Sequence, residues 1–329
     1  MDAISVSGLS KYYGKKIGVE NVDFTVTRGE KFGFIGPNGA GKSTTIRMLM
    51  QLLHPSGGEI SLLGKTLGKE NPDIRSKIGY LPSEVQYDSD MNGHQVLKFA
   101  ALAYGLNLKD TMGLEIAERL QLDLSRKVRD YSLGNRKKLG IVQCLQHRPE
   151  LVVLDEPTSG LDPLIQHEFF NLLTELNEQG MTIFFSTHVL SEVERFCDRV
   201  AFIREGHLLR VSRVDEIAER LIRKFTVAFR EQGNLIERLG LNKLDSDAKY
   251  EHGEHIFQVS GPIEPVLQLL ADAGVNDLRV ERPSLEEIFM QDYSVHAGTD
   301  HPHTDEIHST GTDTVKKEHH HFMEKEGEQ

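Results

Sequence analysis

A nine-residue run, Gly36-Pro37-Asn38-Gly39-Ala40-Gly41-Lys42-Ser43-Thr44, constrains this chain more than any other feature. It fits the pattern GxxxxGK[ST] and stands in the context that pattern requires. Before it, Lys31 to Ile35 reads as a buried strand; after it, Thr45 to Leu53 reads as a helix. Glycines let the backbone turn tightly enough to aim successive N–H groups at phosphate oxygens, and the helix N-terminus adds its partial positive charge. Lys42 is then placed to bridge the β and γ phosphates of a nucleotide, and the Ser43 hydroxyl to ligate Mg²⁺. Such a strand-loop-helix unit belongs to a parallel α/β sheet.

A second run places acids where such a sheet binds ligands. Asp155 and Glu156 follow the apolar residues Leu151 to Leu154, at the carboxyl end of a predicted central strand. Paired carboxylates there can divide the work: Asp155 holds the metal, and Glu156 orients and polarises an attacking water. His188 directly follows another predicted strand, Thr182 to Phe185, and the pair Ser186-Thr187, so it sits at a neighbouring strand end within reach of a γ-phosphate.

Along the chain, Val22, Phe24 and Val26 alternate as a half-buried strand does, within a strand-rich region from Ile4 to about Tyr87. Between about residues 88 and 132 the spacing turns helical, with Val96, Leu97 and Ala100 and then Leu114, Ala117 and Leu120 repeating at three and four. Strands return from Arg148 to Val211, around a helix at Leu164 to Asn177. Past Asp215 the pattern predicts a small βαββαβ unit. Its strands are Phe225 to Phe229, Asp247 to Tyr250, Ile256 to Val259 and Leu278 to Val280, and its helices lie near Leu235 to Leu239 and at Ile263 to Ala273. A further helix is predicted to start at Ser284, whose spacing to Glu287 has capping-box form. The expected domains are therefore 1–215, with a helical subdomain at about 88–132; 216–293; and a disordered, acidic, His-rich tail at 294–329. His319, His320 and His321 in that tail lack the fixed geometry of a metal site.

Composition removes several function classes. A net charge of -12 disfavours a surface that wraps nucleic acid. Two cysteines, Cys144 and Cys197, fall inside amphipathic patterns and are expected to be buried thiols in a reducing cytosol. No apolar run approaches the roughly 18 to 20 residues that span a bilayer, so a chain that neither crosses a membrane nor is secreted is expected.

Between Tyr131 and Pro163 the residues run YSLGNRKKLGIVQCLQHRPELVVLDEPTSGLDP: a polar turn, a helix, the acidic strand and a tight loop. Together with the phosphate loop, this order resembles the ATP-binding cassette (ABC) ATPases over roughly Ile4 to Val211. The resemblance implies a P-loop α/β fold with a mixed sheet core, an antiparallel β subdomain and a helical subdomain, followed here by a small α+β domain. It implies ATP hydrolysis with Mg²⁺, Glu156 and His188 being catalytic, and Ser43 and Asp155 holding the metal. Tyr13, with Tyr12 as the alternative, resembles the aromatic that stacks on adenine. Ser132 and Gly134 resemble the signature residues, which in that family meet the γ-phosphate held by the other subunit of a head-to-tail dimer. Ser159-Gly160-Leu161-Asp162 resembles the D-loop.

Two positions depart from the family pattern. Leu133 and Asn135 alter the signature turn, and the glutamine usual after Ile78 to Pro82 is replaced by Ser83 and Glu84, with Gln86 three places on, so that Glu84 or Gln86 takes over its contacts. These departures, with the run Arg282 to Phe289, resemble the ATPase subunits of bacterial ABC-2 type exporters. That branch implies a separate membrane permease, a second copy of this chain, a peripheral location on the cytoplasmic side of the membrane, and no nucleic-acid partner. Two other readings stand beside it: a soluble ABC ATPase acting on the ribosome or DNA, and a nucleotide-dependent regulatory module.

Overall fold

Alternating and continuous apolar runs sort into two different sheets, as their burial demands. The structure, a computed structural model, describes residues 1–68, 72–216 and 223–281, all within the compact unit Met1–Ile288. Strands β1 (Asp2–Tyr13), β2 (Lys16–Thr27), β4 (Gly57–Leu62) and β5 (Lys65–Thr66) form an antiparallel sheet in the order β2-β1-β4-β5. Every second residue of β2 from Val22 to Val26 points inward.

The second sheet is six-stranded. It takes β3 (Lys31–Ile35), β6 (Ile78–Leu81), β7 (Leu151–Asp155), β8 (Thr182–Thr187), β9 (Arg199–Arg204) and β10 (His207–Arg213) in the order β10-β9-β3-β8-β7-β6. All neighbours are parallel except β10 with β9. Every residue of β7 and β8 is buried, which is why these strands read as unbroken apolar runs rather than alternating ones. Phe24 of β2 joins the two sheets, packing on Phe32, Phe34 and Phe184 at ring separations of 5.6 to 5.9 Å. At offset geometry such aromatic contacts add about 0.5–1.5 kcal/mol each beyond the area they bury.

Helix α1 (Lys42–Leu49) follows β3, and α2 (Pro72–Arg75) precedes β6. Helix α1 begins earlier and ends earlier than the apolar spacing predicts. Gly41 caps it at φ 111°, and Gln51 takes a positive φ of 56° that ends the helical path. Between β6 and β7 lie α3 (Gly93–Ala103), α4 (Gly113–Arg119) and α5 (Leu133–Leu145). Asn92 and Gln95 close a capping box at the start of α3. Val96, Leu97, Ala100, Ala117 and Leu120 are buried as predicted, but Leu114 faces outward and Ile116 takes its place in the core. Helices α6 (Pro163–Glu178) and α7 (Leu190–Phe196) complete this part. Cys144 and Cys197 are buried free thiols, and burial pushes both thiols up in pKa.

Residues 223–281 carry their own sheet and core. Strands β11 (Arg223–Phe229), β12 (Lys249–Glu251), β13 (Glu254–Val259) and β14 (Val275–Glu281) pair antiparallel in the order β12-β13-β11-β14. With α8 (Leu241–Leu244) and α9 (Glu264–Ala273) the chain order is βαββαβ, a ferredoxin-like arrangement. The first helix differs from expectation. Residues 236–240 are turns and α8 is a single turn beginning after Gly240, because Gly240 is left-handed at φ 67° and the Leu235 N–H is drawn to His255 instead of a helix. The expected helix from Ser284 and the tail from residue 294 lie outside the described residues. No described helix is long and apolar enough to cross a membrane.

His255 is 1% exposed and its Nε2 accepts the Leu235 N–H at 2.9 Å. Burial holds its pKa below the ordinary value. The unfolded chain therefore takes up a proton below about pH 6.5 that the folded unit resists, so stability falls as pH drops through that value. The melting temperature of the chain is expected to fall from about pH 7.5 to about pH 5.5, and His255→Gln should reduce that pH dependence. An equal drop in the variant would place the effect elsewhere.

Candidate functional site

The carboxyl ends of β3, β6 and β7 converge on one cavity of about 560 Å³. Its floor is the loop from Pro37 to Thr44, with Tyr13, Lys16, Ile17 and Gly18 on one side and Ser83 and Glu156 on the other. Glycine is required at two points of the loop. A Cβ on Gly36 would stand 2.2 Å from the Ile203 carbonyl oxygen, and Gly41 at φ 111° lies 2.9 Å from the Gly18 carbonyl oxygen by the same measure. The backbone is thus pressed into the sheet edge, and the first turn of α1 faces the cavity.

Lys42 is 6% exposed. Its ammonium donates to the Gly36 carbonyl at 2.6 Å and the Pro37 carbonyl at 3.2 Å, and lies 3.2 Å from Glu156 Oε1. These partners hold the cation over the loop where phosphate oxygens are expected. Glu156 in turn meets His188 Nδ1 through Oε2 at 2.9 Å. The chain at Glu156 turns sharply, at φ 48°, and its N–H is held by Ser186 through both the carbonyl and the hydroxyl. A left-handed non-glycine residue at a strand end is a strained position, the kind found where a side chain must be aimed.

Asp155 is buried at 2% exposure, with Oδ1 accepting the Ser186 hydroxyl at 2.7 Å. Ser186 therefore fixes both acids: its hydroxyl donates to Asp155, while its carbonyl and hydroxyl oxygens accept the Glu156 N–H. The oxygen-only donors Ser43 and Asp155 suit a hard cation such as Mg²⁺, which keeps most of its waters and leans on substrate phosphates. Among the described residues no group of three His, Cys, Asp or Glu could cage a metal on its own.

The two tyrosines are placed differently. The Tyr13 ring lies over Gly18, where a Cβ would stand 2.8 Å from Tyr13 Cε2, and lines the cavity. Tyr12 is turned to Glu20, its hydroxyl donating at 2.7 Å. At the family's glutamine position the expectation needs correction. Glu84 and Gln86 are both exposed and neither lines the cavity, whereas Ser83 does. The reason is register: β6 ends at Leu81, so the chain leaves the sheet at Pro82 and the following residue is the one aimed inward.

Ser132 and Gly134 do not line this cavity. Ser132 caps α5, its hydroxyl accepting the Asn135 N–H at 3.2 Å. Gly134 packs on the D-loop so closely that a Cβ would stand 2.7 Å from the Gly160 carbonyl oxygen. Leu133 stands outward from the first turn of α5 at 70% exposure. Sequence reasoning missed Lys16, Ile17 and Gly18, which carry no chemical signature of their own. It also missed Lys137, which lies in α5 beside a second buried lysine, Lys138, and has no motif of its own to single it out.

Comparison with known proteins bears on this geometry directly. The ABC transporter family profile matches residues 19–159. The linearmycin resistance ATP-binding protein of Bacillus subtilis (strain 168) is 32% identical over 301 residues, covering 87% of this chain and 97% of that protein. The Nod factor export ATP-binding protein I of Rhizobium sp. (strain N33) is 33% identical over 295 residues, covering 88% and 96%. Among solved structures, an ATP-binding subunit of an ABC transporter superposes with a TM-score of 0.62 at 33% identity, covering 65% of this chain and 91% of that one.

Proposed function

Since the chain belongs to the ABC transporter ATPases, which hydrolyse ATP to power transport, we propose that it is the motor subunit of an exporter of the ABC-2 type. The observation that carries the reading of the site is the Lys42–Glu156–His188 chain of contacts over a glycine phosphate loop. ATP enters with its adenine against Tyr13 and its phosphates over the N–H groups of Gly39 to Thr44. Lys42 exchanges the Gly36 and Pro37 carbonyls for β and γ oxygens. Glu156, released from Lys42, accepts a proton from the attacking water, and His188 holds the carboxylate at the strand end. Asp155 and Ser43 would hold Mg²⁺, which supplies charge neutralisation across the β and γ phosphates when bound.

Ser132 and Gly134 lie outside the chain's own cavity, and their service to a second copy's ATP explains why they sit elsewhere. ATP then joins two copies head to tail, and hydrolysis parts them. Residues 1–215 form the ATPase domain and 216–293 an accessory domain that spaces the dimer or adds to permease contact. Action on the ribosome or DNA has nothing comparable in its support.

A second hollow, of about 290 Å³, suits the permease. It is lined by Leu49 to Leu52 at the end of α1, by Leu62, Leu67, Ile74, Arg75 and Ile78, and by Tyr80, Tyr104, Gln143 and Cys144. It is mainly apolar, and it borders three elements that lead to ATP contacts: α1, β6 before Ser83, and α5 behind Ser132. A cytoplasmic helix of a membrane permease is the occupant proposed, which places the chain peripherally on the cytoplasmic side of the membrane. Leu52, 64% exposed on the rim, gives the test. Co-expressed with a candidate ABC-2 type permease, the chain should co-purify with that protein. Leu52→Asp should lower the recovered complex by about tenfold, the order of burying one unpaired charge in an apolar contact, with ATP turnover of the isolated chain unchanged. Equal recovery of the variant, or no co-purification of the wild type, contradicts the proposal.

A further inference from the structure

Helix α5 carries a buried cation to the two strands that deliver Ser83 and Glu156 to the cavity. Lys137 is 3% exposed. Its ammonium donates to the Ser83 carbonyl at 2.9 Å, the Pro82 carbonyl at 3.2 Å and the Asp155 carbonyl at 3.4 Å. An ammonium has three donors, and three carbonyls receive them. Pro82 and Ser83 follow β6, Asp155 ends β7, and the two strands are parallel neighbours with Leu81 opposite Leu154. The lysine therefore ties the strand ends together where their own ladder runs out. Burial draws its pKa down to about 8, opposed by the charges of Asp155 and Glu156. A buried cation is costly unless its donors are satisfied, so the three carbonyls account for its tolerance here.

The surrounding packing shows that α5 is fitted to both loops. At Gly134 a Cβ would stand 2.7 Å from the Gly160 carbonyl oxygen of the D-loop; at Gly140 it would stand 2.7 Å from Leu81 Cδ1 and 3.1 Å from Val85 Cγ2. Lys137 lies midway between these two close approaches. Ser132, at the start of the same helix, lies outside the chain's own cavity.

We propose that Lys137 is a positioning residue, whose three hydrogen bonds hold the Ser83 turn and the Asp155–Glu156 strand end in fixed register with the signature turn of its own helix. The inference rests on the reading of the cavity as the site of ATP hydrolysis. The role is that of a tether, so a neutral donor can fill it in part. A misplacement of catalytic groups on the order of 1 Å can cost about 10²-fold in rate, while ATP itself is held by the phosphate loop.

The test uses the full chain, with steady-state ATP turnover, ATP binding and thermal unfolding measured for Lys137→Met and Lys137→Gln. Lys137→Met, which keeps the buried stem and removes the donors, should lower kcat by about tenfold or more, with KM for ATP and ATP binding within about twofold. Lys137→Gln should fall between it and the wild type. In a Glu156→Gln background, Lys137→Met should still form the ATP-dependent dimer, because closure does not require turnover. Wild-type kcat in both variants overturns the proposal. So does a loss of kcat matched by loss of ATP binding and of melting temperature in both, which marks a merely structural lysine. If Lys137→Met does not fold, Lys137→Gln decides: lowered kcat at unchanged KM supports the tether, and wild-type kcat overturns it. A wild-type chain without Glu156-dependent turnover, alone or with its permease, overturns the reading of the cavity itself, a result distinct from full turnover in the Lys137 variants.

Discussion

Replacing Glu156 with glutamine is expected to lower ATP turnover by about 10²–10⁴-fold, the range typical of losing a positioned general base, while ATP binding stays within a fewfold of the wild type. Glutamine keeps the shape of the side chain and removes its charge. The carboxylate sits 3.2 Å from the Lys42 ammonium and 2.9 Å from His188 Nδ1. Neutralising it leaves Lys42 less occupied by its own chain and freer to meet phosphates, so binding is not weakened. The nucleotide-bound dimer should accumulate because it closes but cannot reset. Stopped-flow nucleotide binding, steady-state phosphate release and size-exclusion chromatography in ATP read the three effects. Undiminished phosphate release would remove Glu156 from its catalytic role.

Lys42→Ala is expected to act earlier, at binding. The cation lies over the loop with Gly36 and Pro37 carbonyls as partners, and among the described residues Lys16, at the side, is the other lysine or arginine that lines the cavity. Charge-assisted contacts to phosphate are worth about 1.5–3 kcal/mol each, so ATP affinity should fall by about ten- to a hundredfold. Turnover should fall further still, because charge on the γ-phosphate grows in the transition state. The removal also leaves Glu156, 17% exposed at its side chain, with His188 as its remaining partner. Isothermal titration with a non-hydrolysed ATP analogue separates the loss of affinity from the loss of rate. Unchanged affinity would show that Lys42 does not contact the nucleotide.

Much of this site is legible in the sequence because its chemistry is local. The phosphate loop fits nine consecutive residues, and Asp155 and Glu156 end a strand whose apolar run is unambiguous. Burial on both faces of the sheet leaves β7 and β8 no alternative pattern. What sequence does not reveal is set by tertiary register. Whether Ser83, Glu84 or Gln86 faces the cavity depends on where β6 leaves the sheet. Lys137 acquires its meaning from carbonyls 54 and 18 residues away, a separation that no local pattern reports. Spacing alone places Leu114 inward, yet α4 turns Ile116 to the core. In the C-terminal unit, Leu235 and Leu239 have helical spacing, but Gly240 and the claim of His255 on the Leu235 N–H divert the backbone into turns.

The departures at Leu133 and Asn135 also take on a physical account. Position 133 is the first residue of α5 and points outward, so a leucine there meets no obstacle in its own chain. Position 134 admits only glycine against the Gly160 carbonyl. Asn135 contributes its backbone N–H to the Ser132 cap, a contact that any residue but proline can make.

In the proposed mechanism each ATP is held by the phosphate loop of one copy and the signature turn of another. Mixing two inactive chains tests it most directly. Lys42→Ala disables the phosphate loop and Ser132→Arg disables the signature turn, so each homodimer has two dead sites. In a mixed dimer one site pairs the intact phosphate loop of the Ser132→Arg chain with the intact signature turn of the Lys42→Ala chain. ATP turnover of the mixture is predicted to rise above that of either variant alone. Turnover no greater than that of the separate variants, in a mixture shown to contain the mixed dimer, would contradict the account.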